Sequence, residues 1–102
     1  MTDRRSLTVI IQEEAEAEIT LASHYYRNIN PTLSLNFLRE VFSKINYISV
    51  YPMAFQLRHK GYRAAFLETF PYKIVYQIVD DDTLVVSSVL HNHHGPDKLK
   101  KL

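Results

Sequence analysis

Lys73 and His91 are the residues whose types and positions could carry chemistry. Lys73 sits inside the run Tyr72-Lys73-Ile74-Val75-Tyr76, and His91 follows the apolar run that ends at Leu90. Histidine titrates near neutrality and can give or take a proton, while lysine and arginine stabilise developing negative charge on a substrate oxygen. Arg63, His93, His94 and Arg58 extend this set as candidate binding residues. Arg58 belongs to the basic cluster Arg58-His59-Lys60 just ahead of Gly61. His91-Asn92-His93-His94 invites a metal reading as well, because alternate positions of an extended segment project the same way. Only Asp97 stands near enough in sequence to add a carboxylate, so an exposed histidine cluster capping a strand is the simpler account. No metal or other cofactor is expected. Glu13, Glu14, Glu16 and Glu18 are close enough to suggest paired catalytic acids, yet four carboxylates at a helix start complement the positive end of its dipole.

These residues need strands to hold them. Tyr62 to Thr69, Tyr72 to Val79 and Thr83 to His91 are rich in Val, Ile, Tyr, Phe and Thr and are bounded by turn residues, which predicts three consecutive strands. Pro71 stands where a strand can begin, since it has no N–H to give to a ladder interior. Asp80-Asp81-Asp82 reads as a three-residue hairpin loop. That loop pairs Val79 with Thr83, Gln77 with Val85, Val75 with Ser87 and Lys73 with Val89. Tyr72, Ile74, Tyr76 and Ile78 then share an apolar face with Leu84, Val86, Ser88 and Leu90, which points to the core. Lys73, Gln77 and His91 fall on the opposite, open face, with Arg63 beside them if its strand has the matching phase.

The remainder of the chain supplies a cover for the apolar face. Leu7 to Ile11 is short, apolar and β-branched, and predicts a first strand. Ala15, Ile19, Ala22 and Tyr26 recur at helical spacing, so a helix is expected over roughly Glu13 to Asn28. Asn30 and Pro31 suit the cap and first position of a second helix. Leu35, Leu38, Phe42, Ile45 and Ile48 form its stripe, Phe37, Val41 and Tyr51 widen it, and Pro52 ends it. The order is therefore β-α-α-β-β-β, an α+β fold of two layers in which a helical hairpin packs on a largely antiparallel sheet. At 102 residues with a net charge of +1, the chain predicts one domain with an ordered core over about residues 7–96, and it excludes a strongly basic nucleic-acid binder. It has no cysteine, hence no thiolate chemistry or disulfide framework. No leader-like segment and no apolar run near the ~18 residues of a membrane span is seen, so a cytoplasmic location without membrane contact is expected. The basic tail after Pro96 reads as loosely ordered.

Asn30-Pro31 before the second helix, Pro52 at its end, Gly61-Tyr62-Arg63, Pro71-Tyr72-Lys73-Ile74-Val75-Tyr76 and Val89-Leu90-His91-Asn92-His93-His94-Gly95-Pro96 together resemble the RelE/ParE toxin superfamily, in its ParE or plasmid-stabilisation branch. The likeness covers about Leu7 to Lys98. Tyr72 to Tyr76 fits the aromatic, basic, aliphatic, aliphatic, tyrosine pattern of the family's middle strand. His91 and Pro96 fit the end of its last strand, whereas His94 stands where arginine is usual. The resemblance implies the toxin of a type II toxin–antitoxin pair, neutralised by a small cognate antitoxin, and either a homodimer or a heterotetramer with that antitoxin. In the ParE-like case the target is DNA gyrase and nothing is cut. In the RelE-like case the target is messenger RNA on the ribosome.

Metal-independent RNA cleavage needs a base for the 2′-hydroxyl, cations for the phosphate and an acid for the leaving oxygen. Lys73 and His91 would be the catalytic pair of such a nuclease, with Arg63, His93, His94 and Arg58 as binding groups. That set is thin, and the long two-helix hairpin favours the ParE branch and a chain that is not an enzyme. A toxin fold kept as an inactive interaction module is the third class. The seven tyrosines could offer a stacking platform for single strands, but most fall at core-facing phases, where packing explains them.

Overall fold

A computed structural model describes residues 6–94. Strand β1 (Thr8–Ile11) leads into helix α1 (Glu13–Ile29) and helix α2 (Pro31–Val50). A 3-10 turn (His59–Gly61) precedes β2 (Arg63–Phe66), β3 (Tyr72–Asp80) and β4 (Thr83–His91), and a second 3-10 turn closes the described chain at Asn92–His94. The order is the one expected from sequence. The four strands form one sheet in the order β1-β4-β3-β2, antiparallel except that β1 runs parallel to β4.

Local chemistry accounts for the helix boundaries. Glu13, Glu14 and Glu16 occupy the first turn of α1 and Arg27 its last, each beside the dipole end it complements. The hairpin between the helices is a single residue: Asn30 accepts a hydrogen bond from the Thr32 N–H (2.8 Å) through its side chain, and Pro31 follows at the first helical position. Helix α2 stops at Val50, two residues before Pro52, as the steric demand of proline on its predecessor requires.

Ala15, Ile19 and Ala22 of α1 meet Phe37, Val41, Ile45 and Ile48 of α2, and together they cover Ile74, Tyr76, Leu84, Val86 and Val89 of the sheet. An aromatic cluster seals one end of this interface: the Tyr26 and Phe70 rings are 4.9 Å apart, and Phe37 lies 5.4 Å from Phe70 and 5.3 Å from Tyr72. Each such side chain contributes about 1.5–3 kcal/mol on burial. The buried stripe of α2 is rotated from the expected one. Leu35 and Phe42 are exposed at 59% and 48%, while Ser34 and Ser49 are buried in their place. Helix α2 is apolar over so much of its circumference that spacing cannot fix its phase. Ser34 is compatible with burial because its hydroxyl shares a 2.7 Å hydrogen bond with Ser23 of α1.

The β3–β4 register departs from the expected ladder at two points, and the second relocates a candidate residue. Gln77 pairs with Val85, as anticipated, but Asp80 pairs with Thr83, leaving only Asp81 and Asp82 in the loop. Further along, Tyr76 pairs with Val86 and Val75 with Ser88, so Ser87 is an extra residue, a β-bulge. Beyond it Ile74 faces Val89, Lys73 faces Leu90 and Tyr72 faces His91, instead of Lys73 facing Val89. One inserted residue reverses every later side chain of the strand. Val89 therefore joins the core under the helices, while Leu90 packs with Val75 and Tyr62 on the other face.

Candidate functional site

The sheet presents two sides, and the bulge at Ser87 decides which residues share one. Lys73 pairs with Leu90 and with Phe66, so it stands on the side away from the helices. His91 pairs with Tyr72, whose ring packs against Phe37 of α2. His91 thus lies on the helix side, at the rim, with its ring 5.2 Å from that of Tyr72. The expectation that Lys73 and His91 share the open face is overturned. The physical cause is the bulge, which turns the end of β4 over before His91 is reached.

Arg63 also lies on the helix side, paired with Tyr76 at the sheet edge. Its guanidinium donates to the Phe55 carbonyl at 2.9 Å, tying the segment after α2 to β2. Tyr76, fully buried, donates its phenolic O–H to the Pro52 carbonyl at 2.6 Å, a second tie to the same segment. Burial pushes the Tyr76 phenol up to about 12, partly opposed by the positive Arg63 beside it. Two polar side chains thus anchor an irregular segment whose sequence has no period of its own.

His93 stacks on His91, with ring centres 4.8 Å apart, and its backbone N–H donates to Nδ1 of His91 at 3.2 Å. His94 ends the closing 3-10 turn, and its side chain lies outside the described residues, as do Asp97, Pro96 and the basic tail. Among the described residues no three His, Cys, Asp or Glu side chains converge as a metal site would need. Of the four clustered acids, Glu18 is set apart by its reach to the sheet, where its carboxylate accepts the Val89 N–H of β4 at 2.8 Å. Strand β1 reaches only as far as the partner of Val86, so α1 satisfies the ladder group that β1 leaves bare.

A groove follows from that short β1. Glu18, Leu21, Ala22 and Tyr25 of α1 form one wall and Tyr72, Val89 and His91 the other. Leu21, Tyr25 and Ile29 lie one helical turn apart and are exposed at 71%, 61% and 60%, an apolar stripe beside the groove. Sequence periodicity does not flag it, because these three residues lie outside the stripe that defines the core face.

On the opposite side Lys73 is 4% exposed and lies against the Phe66 ring (5.6 Å to its centre), and the Arg58 guanidinium lies 5.9 Å from the same ring. Burial, then the charge of Arg58, lowers the Lys73 ammonium from its ordinary value. Arg58 and Lys73, both candidates from sequence, are thus brought together, whereas Arg63, His91 and His93 are not part of their cluster. Phe66 reads from sequence only as a strand aromatic, and an exposed aromatic beside two cations has no signature in spacing.

Chemically, the arrangement does not unite an acid and a base. The sheet stands between the Lys73 ammonium and the His91 imidazole, and proton transfer at one substrate needs both within hydrogen-bond reach of it.

The model of the ParE toxin of type II toxin–antitoxin systems, parDE, matches residues 9–94. Among solved structures, a chain described as a chromosomal ParDE toxin–antitoxin system from P. aeruginosa superposes with a TM-score of 0.72 at 16% identity, over 84% of this chain and 96% of that one. At that identity the likeness speaks for the fold. No curated protein sequence matches this chain.

Proposed function

This chain belongs to the family of ParE toxins of type II toxin–antitoxin systems, and from that premise we propose that it is the toxin of such a pair, held inactive by a cognate antitoxin and acting in the cytoplasm by inhibiting DNA gyrase. The observation that carries this reading is the family match over residues 9–94, which takes in every described strand and helix except the first residue of β1. Two features of the surface support it. Lys73 and His91 lie on opposite sides of the sheet, which favours the gyrase reading over the acid–base pair of the RelE-like alternative. The groove between α1 and the end of β4, with Leu21, Tyr25 and Ile29 beside it, offers apolar area that an antitoxin segment can cover. Among the described residues no helix is long and apolar enough to cross a membrane.

Expression of the chain alone in bacteria tests the reading, with co-expression of the short reading frame beside it. Growth arrest that the neighbour relieves, with purified chain blocking gyrase supercoiling and leaving ribosome-bound message intact, is the expected result. Message cut on translating ribosomes with supercoiling untouched would replace this reading by the nuclease one. A chain that neither arrests growth nor binds its neighbour would leave the inactive interaction module in its place.

A further inference from the structure

The side of the sheet turned away from the helices holds a charge arrangement that the toxin reading does not use. Lys73 is 4% exposed, yet no acidic side chain of the described residues lies within ion-pair reach of it or of Arg58. Both cations instead lie against one ring, Phe66, which is itself 42% exposed. Arg58 is itself exposed whereas Lys73 is nearly covered, and burial plus the field of Arg58 depresses the Lys73 ammonium. A lysine that nearly buried is ordinarily paired. Among the described residues no counter-charge answers these two cations, and an anion arriving from outside would relieve both costs at once.

We propose that Arg58, Phe66 and Lys73 form a docking site for one carboxylate of an acidic polypeptide segment, whose neighbouring apolar side chain lies on the Phe66 ring. Three features select a carboxylate on a polypeptide over a nucleic acid. The cluster is small, two cations around a single ring, whereas polynucleotide affinity grows with the number of phosphates neutralised. The chain as a whole carries a net charge of only +1, too little to gather the many phosphates of a polynucleotide. Phe66 stands on β2, the terminal strand of the sheet, where an extended segment can lie alongside. An arginine fork receives a carboxylate through two parallel hydrogen bonds, and the lysine adds a point charge beside the same ring. This goes beyond the toxin reading, since it concerns the chemistry of this surface and not the growth phenotype.

The test uses the full chain and a fluorescent peptide of alternating glutamate and leucine, followed by anisotropy across a salt series. Saturable binding is expected, weakened by salt, and lost when the glutamates are replaced by glutamine. K73M and R58Q should each weaken it at least about tenfold, which corresponds to about 1.4 kcal/mol. F66A should weaken it too, and K60A, at an exposed position of the neighbouring 3-10 turn, should leave it unchanged. K73M removes a cation that lies beside Arg58 with no acidic partner among the described residues, so its thermal unfolding should occur at or above the wild-type temperature, which separates loss of binding from loss of folding. Equal binding of the glutamine peptide, or wild-type affinity in K73M, overturns the proposal. So does a single-stranded oligonucleotide of matched length that binds more tightly with the same dependence on Arg58 and Lys73. These readouts do not involve growth or gyrase, so they stand or fall apart from the toxin reading.

Discussion

Removing one oxygen atom, in Tyr76→Phe, should change both the stability of the protein and its response to alkali. The Tyr76 side chain is fully buried, and its O–H donates at 2.6 Å to the carbonyl of Pro52, just past the end of α2. Phenylalanine keeps the ring contacts but leaves that carbonyl without its donor, a loss of about 1–2 kcal/mol. In a domain of this size, that lowers the melting temperature by about 4–8 °C for each kcal/mol. The alkaline limb is more telling. The phenol is raised from 10.0 in the unfolded chain to about 12 in the fold. A group whose folded pKa exceeds its unfolded one gives stability that is complete below pH 10 and is lost as pH climbs toward 12. Two pH units correspond to about 3 kcal/mol. Tyr26 and Tyr72 are also raised by burial, and Lys73 is lowered, which acts in the opposite direction by adding stability as pH rises toward 10.5. These backgrounds cancel in the difference between wild type and variant. Urea unfolding at intervals from pH 7 to beyond pH 11 measures that difference. The wild-type advantage should shrink steadily above pH 10, because Y76F has no phenol at this site to ionise. Parallel curves across the whole range would refute the assignment of a buried, carbonyl-bound phenol.

Three further outcomes follow from particular contacts. Asn30→Ala removes the side-chain acceptor of the Thr32 N–H and should cost about 1 kcal/mol, which Asn30→Asp or Asn30→Ser recovers, as read by chemical denaturation. Glu40→Ala frees the backbone N–H groups of Glu68 and Thr69, which this α2 carboxylate holds across the β2–β3 connection. The loss should be about 1 kcal/mol, with faster amide exchange confined to residues 67–71. Deleting Ser87 should leave the Lys73–Leu90 and Ile74–Val89 pairs in place, because it removes the bulged residue and regularises the ladder. Cross-strand NMR contacts would report this, and a variant in which Lys73 faces Val89 would contradict the bulge.

The element order, both helix ends, the Asn30 cap and the identity of most core strand residues are legible in the sequence, because each depends on local rules. A proline forbids helix at its predecessor, an asparagine side chain reaches its own backbone, and strand residues alternate. Sequence misleads wherever a rule admits two answers. Helix α2 is apolar on several faces, so spacing assigns Leu35 and Phe42 inward although Ser34 and Ser49 hold those places. Strand β4 carries Val86, Val89 and Leu90 around two serines, and either register buries an apolar set.

The sequence by itself therefore determined the succession of elements and the two-layer architecture, and it offered Arg58 and Lys73 as candidate cations. Tertiary structure alone decided that Lys73 and His91 part company, that Arg58 and Lys73 meet over Phe66, and that Arg63 serves the Phe55 carbonyl. The reason is geometric. Local propensity is set by neighbours in the chain, whereas a bulge is chosen by the sum of packing across the sheet, and its single extra residue reverses the direction of every side chain after it.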